Sequence, residues 1–430
     1  MASLVKRCWA TGSSLLRRIS AGSVGPCQHF ADRQLGAQMM TTGVDSRIMS
    51  PPWLMLPPVF EEGGDMVYKF YNLSEDKEES FRKKRSNKSE EEETADDDAE
   101  FVGSSHGWLA LFNQRNNHLF LYNPITNRHI KLPPIKTLPD PEINLSPDGR
   151  GSVSKLILSS SPDDDECIAM MIFGPNRRLA FCHPCRSTEW TPIGVLYDFD
   201  TMVPRPYLDI AYSSTQKLLF CNTTNPLYLE CWDLANSLSP RIHSSFRFRW
   251  MDYSKRLTVW TRTRSRPLSV LNLVYAEEYN QLFLVRRYVM ERMGPDGNQS
   301  SLDPIYFGKY RGWDNRFPYQ TIWFDAYKFE FGVEKPQLVE GSLDGLAMFV
   351  GINHSIAMPL TPELKLSPNC IYYTDSNRIL IPPSSLYGGH DIGIFDYTNM
   401  TISPCYNFPL DFESIKRIMP APMWFTPSHH

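Results

Sequence analysis

The sequence predicts an all-β fold, a β-propeller of about six four-stranded blades. Three observations lead there: abundant turn residues, apolar segments of strand length, and a strand-end mark that recurs along the chain. The 430 residues include 34 prolines and 24 glycines, which interrupt the chain too often for long helices. From Gly103 onward short apolar runs alternate with turn signals, and no long segment carries helical periodicity. One ordinary core rarely grows to this length, so a repeated unit is the simplest architecture.

The clearest unit begins with the strand Gly103-Ser-Ser-His-Gly-Trp-Leu-Ala-Leu-Phe112 and turns around Asn116-Asn117. His118 to Tyr122 follows, then Asn123-Pro-Ile-Thr-Asn127, then Arg128 to Leu132 before Pro133-Pro134. Its landmark is an aromatic residue closing a strand, followed by Asp or Asn opening a tight turn. The mark occurs at Tyr71-Asn72, Tyr122-Asn123, Trp232-Asp233, Phe324-Asp325 and Phe395-Asp396, with a degenerate copy at Phe181-Cys182. An Asx side chain accepts a hydrogen bond from backbone two residues on and fixes the turn, while the ring packs between sheets. The marks lie roughly fifty to ninety residues apart, and spacings near fifty suit a blade of four short strands.

Charge divides the chain. Its net charge is -4, yet residues 1–33 hold five basic groups against Asp32 alone. Within Ala2 to Ser20, Leu4, Val5, Cys8, Trp9, Leu15, Leu16 and Ile19 share one helical face, with Lys6, Arg7, Arg17 and Arg18 on the other. Such a segment has the pattern of an organelle presequence, so residues 1–49 are expected to be a presequence and linker, disordered or helical, and 50–428 the propeller. A mitochondrial address is expected, with plastid as the alternative. Residues 86–100 form an acidic loop of low apolar content, expected to be disordered. No run of eighteen apolar residues exists, which leaves no expectation of a membrane-spanning helix. The nine cysteines are odd in number and scattered, which suits a reducing compartment.

Several short motifs resemble one family in their order and spacing. They are Pro52-Trp53-Leu-Met-Leu56, Gly103-Ser-Ser-His-Gly107-Trp108-Leu109, Asn123-Pro124 with Leu132-Pro133-Pro134, and Pro422-Met-Trp424-Phe425. Over roughly residues 50–428 the chain resembles the plant family labelled domain of unknown function 295, the KIB-type β-propeller. The resemblance implies a propeller. Many relatives carry an N-terminal F-box and act as substrate receptors of a ubiquitin ligase. Here the presequence and the proline-rich Ser50 to Pro58 occupy that place, so the chain resembles an organelle-directed branch lacking the F-box, and the ligase role does not carry over.

Candidate chemistry is sparse. Cys182-His183-Pro184-Cys185 has metal-like spacing but no second ligand pair, and a hairpin turn is expected. Ile193-Gly-Val-Leu-Tyr-Asp198-Phe-Asp200 has the look of a strand ending in a nucleophilic carboxylate, but the residue two beyond Asp200 is Met202 instead of threonine. Gly388-Gly-His-Asp-Ile-Gly393 lacks dinucleotide-loop spacing, and Ser104, His106 and the other histidines show no triad order. No catalytic, metal or cofactor-binding residue is therefore predicted, and no cofactor. The expected function is a non-catalytic interaction scaffold binding a protein partner, with organellar RNA as a further partner class. The alternative is an enzyme with its active site in the central channel, which needs acids or histidines gathered from successive blades.

One segment contradicts the near-neutral body. Phe246 to Arg266 carries seven bases against Asp252 alone. In strand conformation Arg247 and Arg249 share one face and aromatics the other, and Arg262, Arg264 and Arg266 repeat the spacing beside Trp260. These six are the candidate partner-binding residues, the arginines for phosphate or carboxylate and Trp260 for stacking. A hairpin whose arginines are merely solvated explains the same pattern.

Overall fold

The computed structural model describes residues 50–428 apart from 63–64, 84–98, 139–152, 195–204, 224–226, 237–239, 248–266, 292–317, 331–335, 376–386 and 407–417. Among the described residues the regular structure is β-strand with three short 3-10 turns. The strands form six blades. Three are separate sheets of four sequential antiparallel strands. Blade 2 comprises Glu100–Ser105, Trp108–Asn113, His118–Asn123 and Arg128–Lys131; blade 3, Val153–Leu158, Ala169–Phe173, Arg178–Cys182 and Thr191–Ile193; blade 4, Tyr207–Ser213, Leu218–Thr223, Tyr228–Asp233 and Arg241–Arg247. Blade 5 is Leu268–Ala276, Gln281–Glu291, Tyr319–Phe329 and Gln337–Leu338. Blade 6 has the spatial order Ile356–Pro359, Leu346–Val350, Cys370–Tyr373, Gly393–Asp396 and Thr401–Ser403, and a single parallel bridge, Tyr275 to Ile356, joins it to blade 5.

Blade 1 closes the ring. Its innermost strand is Met423–Phe425, from the C-terminal end, paired antiparallel with Trp53–Met55 so that Trp53 faces Phe425, Leu54 faces Trp424 and Met55 faces Met423. Met66–Asn72 and Lys77–Arg82 continue the sheet outward. The innermost strands of successive blades adjoin one another from blade 1 through blade 6.

Each pair of neighbouring blades shares one apolar core, so six cores close the circle. Strand alternation builds them: Leu273 packs toward blade 4 and its neighbour Val274 toward blade 6. This explains near-continuous apolar strands such as Ala169–Phe173, buried at every position, because each blade is covered on both faces.

The turn chemistry follows the mark. Asn72, Asn123, Asp233 and Asp396 each end a strand and accept a backbone N–H two residues on, from Ser74, Ile125, Ala235 and Thr398. Phe181-Cys182 also ends a strand. Phe324-Asp325 does not: it sits inside the eleven-residue strand Tyr319–Phe329, and Asp325 is buried against the Tyr288 hydroxyl. The pair is followed by Ala-Tyr-Lys-Phe, which contains no turn former, so the strand runs on. Glu100, assigned from sequence to the acidic loop, is the first residue of a blade 2 strand; the rest of that loop from 86 to 98 lies outside the described residues, as does the presequence.

Candidate functional site at the propeller axis

The motif Gly103-Ser-Ser-His-Gly107-Trp108 builds the innermost hairpin of blade 2. Gly103 lies where two inner strands nearly touch: a Cβ there would meet the Leu156 carbonyl oxygen at 2.0 Å. Ser105 pairs with Trp108 across a two-residue turn in which His106 and Gly107 both have positive φ, 51° and 82°, the backbone of a tight hairpin with right-handed twist. The Ser105 hydroxyl binds the backbone of blade 3, accepting from Leu158 N at 3.2 Å and lying 3.3 Å from Leu158 O. The turn thereby presents His106 as an exposed side chain ringed by protein.

A second hairpin meets it there. Leu346–Val350 and Ile356–Pro359 pair antiparallel in blade 6, and their connecting tip, residues 351–355, reaches across the inner strands. Ile352 is buried in the core shared by blades 1 and 2. His354 donates its backbone N–H to Ser104 O at 2.9 Å, its Nδ1 lies 3.3 Å from Ser105 Oγ, and its ring centroid is 6.2 Å from that of His106. Burial, then His106 and Lys155, push the His354 imidazole down to about 3, with Asp209 opposing. It is therefore neutral at physiological pH. Contributions from blades 2, 3, 4 and 6 converge at this point, so the tip of blade 6 occupies the axial region.

Lys155 and Asp209, on the inner strands of blades 3 and 4, form an ion pair of 2.7 Å buried on both sides, and their charges act on His354. Asp209 is fully engaged: Oδ1 also accepts from Ile210 N and Oδ2 from Leu273 N. Ser105 and His354 have the residue types of a nucleophile and its base, but their separation exceeds a good hydrogen bond and the Ser105 hydroxyl is already tied to Leu158. Among the described residues no three His, Cys, Asp or Glu side chains are grouped to hold a metal ion. The arrangement ties blades together.

A second polar cluster pins blade 5 to blade 6. Arg287 donates to Thr321 Oγ1 at 2.5 Å, to Thr374 O at 2.7 Å and to Asp391 Oδ2 at 2.5 Å, and stands 4.8 Å over the Tyr373 ring. Asp391 also accepts from Thr321 N and Oγ1. Asp375 accepts from the Tyr319 hydroxyl and from Gly389 N. Burial pushes the Asp375 carboxyl up; Arg287 pulls it down and Asp391 raises it.

The residues singled out from sequence fall as follows. Arg247 is exposed at the end of the outer strand of blade 4, paired with Tyr228. Arg249, Trp260, Arg262, Arg264 and Arg266 lie outside the described residues, as do Asp198 and Asp200. Cys182 is buried in the core of blades 2 and 3 while Cys185 is exposed, in a turn closed by Arg186 N to His183 O and by His183 N to Ser187 Oγ. His390-Asp391 of the glycine-rich segment belongs to the seam of blades 5 and 6. Sequence reading missed His354, Lys155, Asp209 and Arg287. The only signal for Lys155 and Asp209 was a charged residue within an apolar strand, Arg287 lies next to Arg286 in such a strand, and His354 falls in a turn that carries no signal.

Six blades sharing six cores, closed by a C-terminal strand, define a β-propeller. The chain belongs to the KIB1-4 β-propeller family, whose model matches residues 70–396. No curated protein matches it. Among solved structures it is similar to AztD from Citrobacter koseri in the apo form, at 18% identity over 47% of this chain and 46% of that chain with a TM-score of 0.27. A further AztD structure from Citrobacter koseri gives 14% over 61% and 50%, TM-score 0.31. The β-propeller domain of Myceliophteria thermophila Cps50 (Swd1) gives 9% over 81% and 85%, TM-score 0.34. The similarity spans about half the length of the AztD chains.

Proposed function

We propose that this chain is a non-catalytic scaffold that engages a protein partner through the turns and edges of its blades, inside a mitochondrion. The observation that carries the reading is the blade 6 hairpin tip at the axis, where Ile352 and His354 are built into the contacts of blades 1 and 2. A channel enzyme needs open, converging polar groups. Here Asp209 is saturated by Lys155 and two backbone donors. Binding surface is therefore sought on the outside of the ring.

The basic segment supports a polyanion as a further partner class. Arg247 is exposed at its start, and the sequence beyond alternates arginine with aromatic or threonine residues. Replacing Arg262, Arg264 and Arg266 with glutamine is expected to leave the melting transition within about 0.5 kcal/mol of wild type. It should weaken RNA binding and lower its salt slope by about two to three. Wild-type protein that binds no RNA at low salt removes the nucleic-acid version. The scaffold reading is tested by affinity capture from isolated mitochondria with chain 50–430 as bait. A stoichiometric protein partner is expected. Its absence, together with turnover of a small molecule abolished by His354→Gln, selects the channel-enzyme reading instead.

The mitochondrial setting rests on the first 49 residues. Fusing Met1 to Val44 to a fluorescent reporter is expected to send the reporter to mitochondria; a plastid signal selects the alternative, and a diffuse cytosolic one ends the import reading.

A further inference from the structure

Four buried side-chain oxygens at and around the blade 6 hairpin tip make no hydrogen bond among the described residues. Asn353 Oδ1 and Ser355 Oγ belong to the tip itself. Thr374 Oγ1 directly follows the strand Cys370–Tyr373, and Ser104 Oγ belongs to the residue whose carbonyl accepts His354 N. All four residues are buried, with 0–4% of their surface exposed. An unpaired buried polar atom is costly, and native structures rarely leave one without a protein or solvent partner.

Two of the four share one place. A Cβ on Gly351 would meet Thr374 Oγ1 at 2.1 Å and Asn353 Oδ1 at 2.9 Å, so both atoms crowd the side of Gly351 that carries no side chain. Every other polar group of the two side chains and of the Thr374 backbone is already engaged. Asn353 Nδ2 donates to His354 O at 2.6 Å, which leaves Oδ1 at the Gly351 side. Thr374 donates its N–H to Val350 O at 3.0 Å, and its carbonyl accepts from Arg287 Nη1 at 2.7 Å. Only the hydroxyl is left, and a β-branched side chain has little freedom to swing it to another acceptor.

We propose that Thr374 Oγ1 and Asn353 Oδ1 hold one ordered water molecule beside Gly351, a buried solvent site that ties the axial tip to the seam of blades 5 and 6.

The chemistry of the pair selects water. An amide oxygen only accepts and needs a donor, a threonine hydroxyl donates or accepts, and one water satisfies both at once. A metal cation is disfavoured, because both oxygens are uncharged and the Arg287 guanidinium already stands on the Thr374 carbonyl. Glycine at 351 is then a requirement of the site, since any Cβ would overlap the Thr374 hydroxyl. The water completes a polar chain that runs from Asp391 through Arg287 and Thr374 to Asn353. Asn353 in turn holds His354 O, and His354 N binds Ser104 of blade 2. Blades 5, 6 and 2 are thereby joined by one continuous set of hydrogen bonds. The inference stands whichever partner the scaffold binds.

A crystal structure of the full chain, at a resolution that shows ordered solvent, tests the site directly. One solvent peak is expected about 2.6–3.2 Å from both Thr374 Oγ1 and Asn353 Oδ1. A site without a peak overturns the proposal, as does a direct hydrogen bond from the Thr374 hydroxyl to a protein acceptor. So does a peak ringed by six or more oxygens at the roughly 2.3–2.6 Å of a bound calcium ion. Urea unfolding supplies an independent sign, because Thr374→Val keeps the shape of the side chain and deletes only the hydroxyl. Removing a hydroxyl that is unpaired in the folded protein leaves the folding equilibrium constant unchanged or raises it. With water bound, that constant is expected to fall about five- to ten-fold. A Thr374→Val protein as stable as wild type, or more so, ends the proposal.

Discussion

At Gly103 a missing side chain sets the distance between two blades. The strand of blade 2 passes so close to blade 3 that any Cβ would overlap the Leu156 carbonyl, and two positions on, Ser105 uses that proximity to bind Leu158. Gly103→Ala is therefore expected to destabilise the propeller by about 1–3 kcal/mol, since the clash is with backbone that cannot rotate away. Urea unfolding midpoints measure it, and a shift below about 0.5 kcal/mol would show that the two inner strands separate freely. The strand-closing tyrosines have a related economy of contact that the sequence displays without announcing. The hydroxyls of Tyr71, Tyr122 and Tyr275 each donate to an Asx side chain five residues on, Asp76, Asn127 and Asn280, all with positive φ. The ring packs in a core while its hydroxyl fixes the turn beyond it.

Between elements, polar side chains decide how blades 5 and 6 meet. Arg287 and Asp391 are 104 positions apart, and no local pattern announces such a pair. Asp375, on the edge of the same cluster, is held above the ordinary carboxylate range by burial. A carboxyl raised in this way binds more protons folded than unfolded, so its share of stability is present below pH 3.8 and is lost as pH rises through the folded value. Asp375→Asn, permanently neutral, should gain stability relative to wild type as pH rises across that window. A stability difference that stays constant with pH would mean that Asp375 keeps its ordinary titration. What was legible in the sequence at this scale was local: four of the Asx turns and most strand lengths; Gly103 to Phe112, read as one strand, is instead two antiparallel strands folded at His106-Gly107, whose positive φ values make the turn. Phe324-Asp325 misled because an aromatic-Asx pair also fits the middle of a long strand when the Asx side chain finds a buried hydroxyl. The axial hairpin was illegible because its contacts are made by other blades, and nothing in residues 351–355 alone distinguishes a tip buried against blades 1 and 2 from a surface turn.

For the whole molecule the decisive feature is closure. The inner strand of blade 1 comes from the far end of the chain, and it feeds two cores at once: Met423 and Phe425 pack into the core of blades 1 and 2, Trp424 into that of blades 6 and 1. Trp424 is fully buried, edge-on to Phe349 with ring centroids 5.2 Å apart. Truncating it alone, Trp424→Ala, should cost about 3–5 kcal/mol. Deleting Met400 to His430 removes all three residues and leaves Trp53–Met55 as an open edge. The summed loss of the three side chains, about 8–15 kcal/mol, is as large as the roughly 5–15 kcal/mol that holds a domain together. The deletion is therefore expected to abolish the cooperative melting transition of the entire ring, not to loosen one blade, because each blade buries its faces only against its neighbours. A synthetic peptide spanning Ile418 to Ser428, added in excess, should restore part of that transition by re-forming the pairs Leu54 with Trp424 and Met55 with Met423. A deleted chain that still melts cooperatively at the wild-type temperature, indifferent to the peptide, would mean that the six blades stand without their closing strand.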